Sequence, residues 1–396
     1  MERHRLCLKS AILAGVLAAV NAPAALALEA EDVGARLKGL MTKQQLELTY
    51  DGASMDGADV ILEGVAVKST AGETAVPIGD VTLRNVTEEA DGALRADAVD
   101  VDDVTFEESG RTFRFSGFTM TGLILPENAG SKAIDGVMHY DQAGLARLEI
   151  EGKDGFAASF EDIRTEVAVA DDDTMTFDGA MGSFLLDLRS VKDGARAIQT
   201  LKDMGYERIT GSGSATGSWR PSDGRTTLSR YEVTADNAGT LSLMADFDGY
   251  TPEFIQAMEE MTKGGNAGGG ENNTAQGMAM LGMMQQLTFH GLTLRFTDDS
   301  LTGRALDYAA KQQGGKPEDI IAQAKAVIPM QLTPYLGAEL TQNLTQAVGT
   351  FLENPETLEI SAKPENPVPF AMLMGAAMGA PELLIKQIGL MVTANE

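Results

Sequence analysis

Between about residue 44 and residue 250 the chain is built of short runs in which apolar and polar residues alternate, separated by Gly, Asp and Asn. A period of two marks strands with one buried face, so this stretch predicts a β-rich region. Within it a small pattern recurs: Val60, Leu62, Val65; Val81, Leu83, Val86; Val99, Val101, Val104; Phe113, Phe115, Phe118, with offsets i, i+2, i+5 each time. A step of two keeps neighbours on one face of a strand, and a step of three changes face unless a bulge or bend absorbs the extra residue. Asn85 and Gly117, just before the third apolar position, suit such a bend. Similar runs open on Asp59-Val60, Asp80-Val81 and Asp103-Val104. We read this as a degenerate structural repeat whose units pair into one curved antiparallel sheet, a β-gutter. An ordinary sandwich core is the other arrangement the pattern allows.

Further along, helical periods appear. A helix is expected over 191–204, stopped by Gly205, and strands resume at Ile209, with a hairpin turn at Asn237-Ala238-Gly239. A helix is also expected over Pro252–Met261. Thr262 to Gln276 holds five Gly and three Asn without apolar periodicity and reads as a linker. Beyond it, Gly291 to Thr297 alternates as a strand. Pro317 opens a helix with Glu318 and Asp319 in its first turn, and Pro329 is expected to end it. Leu336, Leu340, Leu344 and Val348 then mark a second helix, closed by Asn354-Pro355, before strands near Leu358–Ala362 and Leu390–Thr393. The fold class expected is mainly β with α additions: a β-rich region over 28–261, a linker over 262–276 and an α+β region over 277–396.

The first residues change the picture. Arg3, Arg5 and Lys9 precede an apolar run from Ala11 to Val20, and Ala25-Leu26-Ala27 has the A-x-A form of a signal-peptide cleavage site. Residues 1–27 are expected to be removed, and Asn21 and Pro23 interrupt the run too early for a membrane anchor. Cleavage near Ala27 removes Cys7, the single cysteine of the 396 residues, so an exported chain without disulfides is expected, which fits a bacterial periplasm. The formal net charge of −27 disfavours nucleic acid and anionic membrane surfaces as partners.

Candidate chemistry is sparse. His139 and His290 stand alone, without ligand spacing for a metal, and neither a G-x-S-x-G elbow nor a phosphate-binding glycine loop occurs. The runs Asp100, Asp102, Asp103 and Asp171–Asp173 lack the Gly and terminal Glu of a calcium loop and read as solvated turns. No cofactor and no metal are expected. A hydrolase working through two carboxylates stays open, although Trp219 is the only tryptophan for a sugar platform. Eleven of the 20 methionines lie between Met258 and Met391, and unbranched, polarizable Met suits ligands of variable shape as well as flexible core filling.

The recurrent V-x-L-x-x-V strands over about 55–125 and again 225–250, behind an export signal and ahead of a helical segment, resemble the AsmA-like group of envelope proteins. That resemblance implies a β-gutter whose apolar interior carries phospholipid, and a part in outer-membrane upkeep. The chain departs from the group in being compact and in lacking the usual N-terminal membrane helix, so a soluble carrier is expected rather than a bridge across the periplasm. The function expected is thus non-enzymatic binding of an apolar ligand, a lipid or acyl chain, by Phe113, Phe115, Phe118 and Met120, with Met280, Met283 and Met374 on covering helices. The alternative is a structural or assembly partner of another envelope protein.

Overall fold

The computed structural model describes residues 28–70, 74–127, 137–191, 196–265, 280, 282–379 and 381–396. The expected signal peptide and most of the expected linker, from residue 266, lie outside these. Among the described residues, eighteen strands form one open antiparallel sheet. They are β1 (Leu46–Thr49), β2 (Gly52–Asp56), β3 (Asp59–Ser69), β4 (Ala75–Arg84), β5 (Thr87–Glu88), β6 (Leu94–Val101), β7 (Val104–Glu108), β8 (Arg111–Leu125) and β9 (Gln142–Gly152). The second half comprises β10 (Ala157–Val169), β11 (Met175–Asp187), β12 (Arg208–Arg220), β13 (Arg225–Ala235), β14 (Gly239–Asp248), β15 (Thr288–Asp298), β16 (Thr357–Ala362), β17 (Val368–Pro369) and β18 (Leu390–Ala394).

Each long strand pairs with the next in the chain, so the sheet is a meander. Short strands share a line: β1 and β2 both pair with β3, β6 and β7 with β8, and β16 and β17 with β15. Such local connections need only tight turns. The β13–β14 turn falls at Asn237-Ala238-Gly239 as expected, with Asn237 at φ 56°.

The recurring pattern has a physical basis. Gly64, Asn85 and Gly117, each one residue before the third apolar position, adopt φ values of 61°, 47° and 65°. One left-handed residue absorbs the extra step, so Val60, Leu62 and Val65 are all buried, as are Val81, Leu83 and Val86. The backbone N–H freed at each break is satisfied by the aspartate that opens a neighbouring run. Asn85 N–H donates to Asp59 Oδ1 at 2.8 Å, Gly64 N–H to Asp80 Oδ1 at 2.9 Å, and Gly117 N–H to Asp103 Oδ1 at 2.9 Å. The same break recurs at Gly122 (φ 65°), between Met120 and Leu123, and at Asp162 (φ 53°), between Phe160 and Ile163.

Helices precede the sheet and interrupt its meander after β11, β14, β15 and β17. Helix α1 (Ala30–Lys43) lays Val33, Leu37 and Leu40 on Val60, Leu62 and Leu83, making the main core. Helix α2 (Arg196–Asp203) falls within the expected 191–204, and α3 (Pro252–Gly265) starts where expected but runs on through Thr262–Gly265, the first residues read as linker. Helix α4 (Leu301–Gln313) precedes α5 (Pro317–Glu353), and α6 (Phe370–Gly379) and α7 (Pro381–Gln387) follow β17. Pro329 does not end α5. The helix passes both Pro329 and Pro334 and breaks instead at Gly337, whose φ of 73° and ψ of 167° are non-helical. The Thr333 hydroxyl donates to Pro329 O at 2.6 Å and the Thr341 hydroxyl to Gly337 O at 2.7 Å, occupying carbonyls near the interruption. Among the described residues no helix is long and apolar enough to cross a membrane.

Candidate functional site: an apolar face and its cavity

A cavity of about 560 Å³ opens in the first half of the sheet. Its walls come from α1 (Met41), β1 (Leu48), β3 (Val65, Val67), β4 (Val76, Ile78, Val81), β6 and β7 (Val101, Val104), β8 (Phe115, Phe118), β9 (Leu145) and β10 (Ile163). Asp102 and Thr165 are the polar side chains among its lining residues. Val101 and Val104, and likewise Phe115 and Phe118, flank a three-residue step yet line the same space. The breaks therefore give the cavity apolar walls on both sides of each interruption.

The cavity belongs to a longer surface. Residues directly opposite one another in an antiparallel pair point to the same face. Following such partners from β3 gives Leu62, Val81 and Val101. From β8 onward they give Phe118, Leu145, Ile163, Met181, Gly213, Val233, Leu241, Phe296, Leu358 and Ala394. A parallel row runs Ala143, Thr165, Gly179, Ala215, Tyr231, Leu243, Leu294, Ile360 and Val392. No charged side chain interrupts either row. At its ends the face is covered, by α1 on one side and on the other by α5, whose Phe351 meets Phe296 edge-on at 6.1 Å. In between, Tyr231, Leu241 and Leu292 remain 42%, 43% and 37% exposed.

Glycines in β12 shape this surface. A Cβ on Gly217 would lie 2.4 Å from the Phe177 ring, and one on Gly211 2.6 Å from the Phe184 ring. Each ring thus comes close to a glycine where a Cβ would clash, so the Gly/Ser-rich run 211–218 forms a strand that admits these aromatic side chains. The opposite face is charged. Arg147 pairs with Glu149 at 2.7 Å and Glu161 at 2.9 Å, Arg114 with Glu151 at 3.0 Å, and Arg84 with Asp59 at 2.8 Å and Asp100 at 2.6 Å. The Arg84 guanidinium and the Asn85 N–H beside it hold the Asp59 carboxyl below its ordinary range, the backbone bond contributing most. The two faces of the sheet therefore differ sharply in polarity.

The expected site residues separate into two groups. Phe115 and Phe118 line the 560 Å³ cavity, and Phe118 and Met120 pack against the main core. Phe113 stacks on Phe106 at 5.0 Å, in the row beside Phe115. Met283 is buried with Phe254 and Leu287 in a second cluster that also takes in Met258, Met261, Met284 and Phe370. Met280 is 37% exposed, and Met374 lies half-buried on α6. Met283 therefore fills a separate small core. Leu145 and Ile163, which complete the cavity beside Val65 and Val81 of the repeat, were legible only as alternating strand residues.

Ionisable groups elsewhere form structural networks. His290 Nε2 lies 2.6 Å from Asp248 Oδ2, and Arg225 donates to Asp248 and Asp246 at 2.9 Å each, tying β13, β14 and β15 together. His139 Nδ1 meets Val137 O at 2.8 Å. Among the described residues no group of three or more His, Cys, Asp or Glu is placed to hold a metal ion. Asp103 and Asp172 each accept a backbone N–H, from Gly117 and Thr174.

A family model described only as an uncharacterized protein matches residues 232–395, from within β13 to β18. No curated protein matches the chain.

Proposed function

We propose that this protein is an exported, periplasmic carrier of an apolar ligand, most simply the acyl chain of a lipid, and that its sheet works as a gutter. The observation that carries this reading is the uninterrupted apolar face, which begins at the cavity around Phe115 and Phe118 and stays partly open to solvent around Tyr231 and Leu241. Leaving some two-fifths of side chains such as these in water forgoes part of the roughly 1.5–3 kcal/mol that full burial supplies, so several of them on one face are best explained by a ligand that covers them. An acyl chain needs no hydrogen-bond partner, and Asp102 and Thr165 are the polar side chains this cavity offers. The role proposed is binding rather than catalysis.

The test is native mass spectrometry with lipid extraction on the chain purified without detergent. We expect a bound mass of lipid size. Phe115→Asp should abolish it with an unchanged far-ultraviolet circular dichroism spectrum. A clean unliganded mass together with a defined co-purifying protein would replace the carrier reading with that of an assembly partner. Equal loss of ligand and fold in Phe115→Asp would return Phe115 to the core.

A further inference from the structure

Among the described residues, the four large apolar side chains most exposed to water are Met330 at 70%, Tyr335 at 64%, and Met372 and Met391 at 52% each. Met330 and Tyr335 stand at the tip of a hairpin. Lys325 Nζ bonds Glu353 Oε1, twenty-eight residues further on, and the Lys325 stem crowds Gly349. In one straight helix the ends of that ion pair would be about 42 Å apart, so α5 reverses direction at Gly337 and its two arms run side by side. Pro329 and Thr333 of the first arm accordingly line one cavity with Thr341 and Thr345 of the second. The tip, residues 326–338, holds no charged residue, in a chain that is 22% charged. Its polar groups are largely met from within: Pro329 and Pro334 have no N–H, and the Thr333 and Thr341 hydroxyls occupy Pro329 O and Gly337 O. Residues 366–381 hold no charge either, and α6 within them is apolar all round, yet Met372, Gly375 and Gly379 on it are exposed. A helix of that composition belongs in a core or in lipid. The two uncharged segments meet, since Leu336 and Gly337 share a cavity wall with Pro367, Pro369, Met372 and Met391.

We infer that the tip of α5 and helix α6 form one surface that docks on a zwitterionic lipid bilayer, entering its interface without crossing it. A bilayer fits better than a protein partner because the surface offers no charged group to match and few polar groups to pair, whereas protein interfaces take specificity from such groups. Methionine adapts to disordered acyl chains, and the Tyr335 phenol suits the boundary between chains and headgroups. The ten residues of α6 reach only about 15 Å, half of a bilayer core, so the contact is interfacial. The net charge of −27 repels an anionic surface and leaves a zwitterionic one. This surface lies outside the cavity at Phe115 and needs no bound ligand, so it goes beyond the carrier reading.

The test is co-sedimentation of the full chain with phosphatidylcholine vesicles. Wild type should bind them, should keep binding at raised salt, and should bind phosphatidylglycerol vesicles less. Met330→Asp/Tyr335→Asp, at two exposed positions, should weaken binding to phosphatidylcholine at least about tenfold with an unchanged circular dichroism spectrum. A second readout does not depend on that variant's folding: Tyr335→Trp should be quenched by vesicles with brominated acyl chains beyond the quenching of wild type, whose only tryptophan is Trp219. Absence of wild-type binding, equal binding by the double aspartate variant, or no added quenching each overturns the docking surface. So does a wild-type dimer in sedimentation velocity that the double variant turns into monomer without vesicle binding, which would assign the surface to a second copy of the chain. The bound-lipid mass of wild type and Phe115→Asp reports on the carrier reading separately, and vesicle binding stands or falls without it.

Discussion

At the residue scale, each break residue and its aspartate form a pair in which backbone conformation and hydrogen bonding depend on one another. Gly117 needs a positive φ to return Phe118 to the face of Phe115, and a Cβ there would come within 2.6 Å of Ala146 Cβ. Gly117→Ala should therefore destabilise the chain by more than the ~1 kcal/mol of left-handed strain alone, read as a lowered urea midpoint. Asp103→Ala leaves the Gly117 N–H without its partner and should cost about 1 kcal/mol in the same measurement. Unchanged midpoints in both would mean that the pattern arises from composition rather than geometry. Asp187 supplies a pH-dependent case. The side-chain bonds from Arg189 hold its carboxyl at about 2, below the usual carboxylate range. Because the folded value is depressed, the contribution to stability is complete above the unfolded value of about 3.9 and is lost as pH falls from there toward 2. Arg189 is 59% exposed, so that contribution is below about 1 kcal/mol. Arg189→Ala should raise the Asp187 titration midpoint toward 4, measured by carboxyl NMR.

At the scale of elements, the alternating runs were legible because a half-buried strand imposes a period of two, and the aspartates that open them turned out to satisfy the breaks in neighbouring strands. Three features were not legible for physical reasons. The amphipathic spacing of Val33, Leu37 and Leu40 in α1 falls just behind the expected cleavage point, and Gly34 and Gly39 inside the helix weaken its local signal. Pro329 reads locally as a stop, yet the helix runs past it and past Pro334 and gives up its regular backbone only at Gly337, where a residue without a side chain takes the non-helical φ of 73°. The cavity residues Leu145 and Ile163 look like any core positions, since only the cross-strand register brings them together with Phe118. The Met-rich segment suited both a ligand cover and flexible core filling, and the structure divides it between a small core around Met283 and the exposed Met372. If Gly337 sets the bend in α5, Gly337→Ala should lower stability by about 1–2 kcal/mol in urea unfolding, because its φ of 73° disfavours any side chain. A substitution without effect would place the bend in the prolines.

At the scale of the whole molecule, the sheet is covered at its ends and open between them, and this distribution separates residues needed for folding from those available to a ligand. Leu62 is fully buried beneath α1, so Leu62→Ala removes packed methyl groups and should cost about 2–5 kcal/mol. Tyr231 and Leu241 lie on the same continuous face but in water, 42% and 43% exposed. Replacing both by Ser removes little packing, so the double variant should unfold within about 1 kcal/mol of wild type. If the face carries acyl chains along its length, the same variant should still fill the cavity at Phe115 yet take up lipid from vesicles more slowly, because the apolar path between β13 and β14 is cut. Stopped-flow uptake of a fluorescent fatty acid measures this directly. An unchanged uptake rate with normal stability would confine binding to the first cavity and leave the open rows to contact with another protein; a large stability loss would mean that these side chains are packed more tightly than their exposure implies.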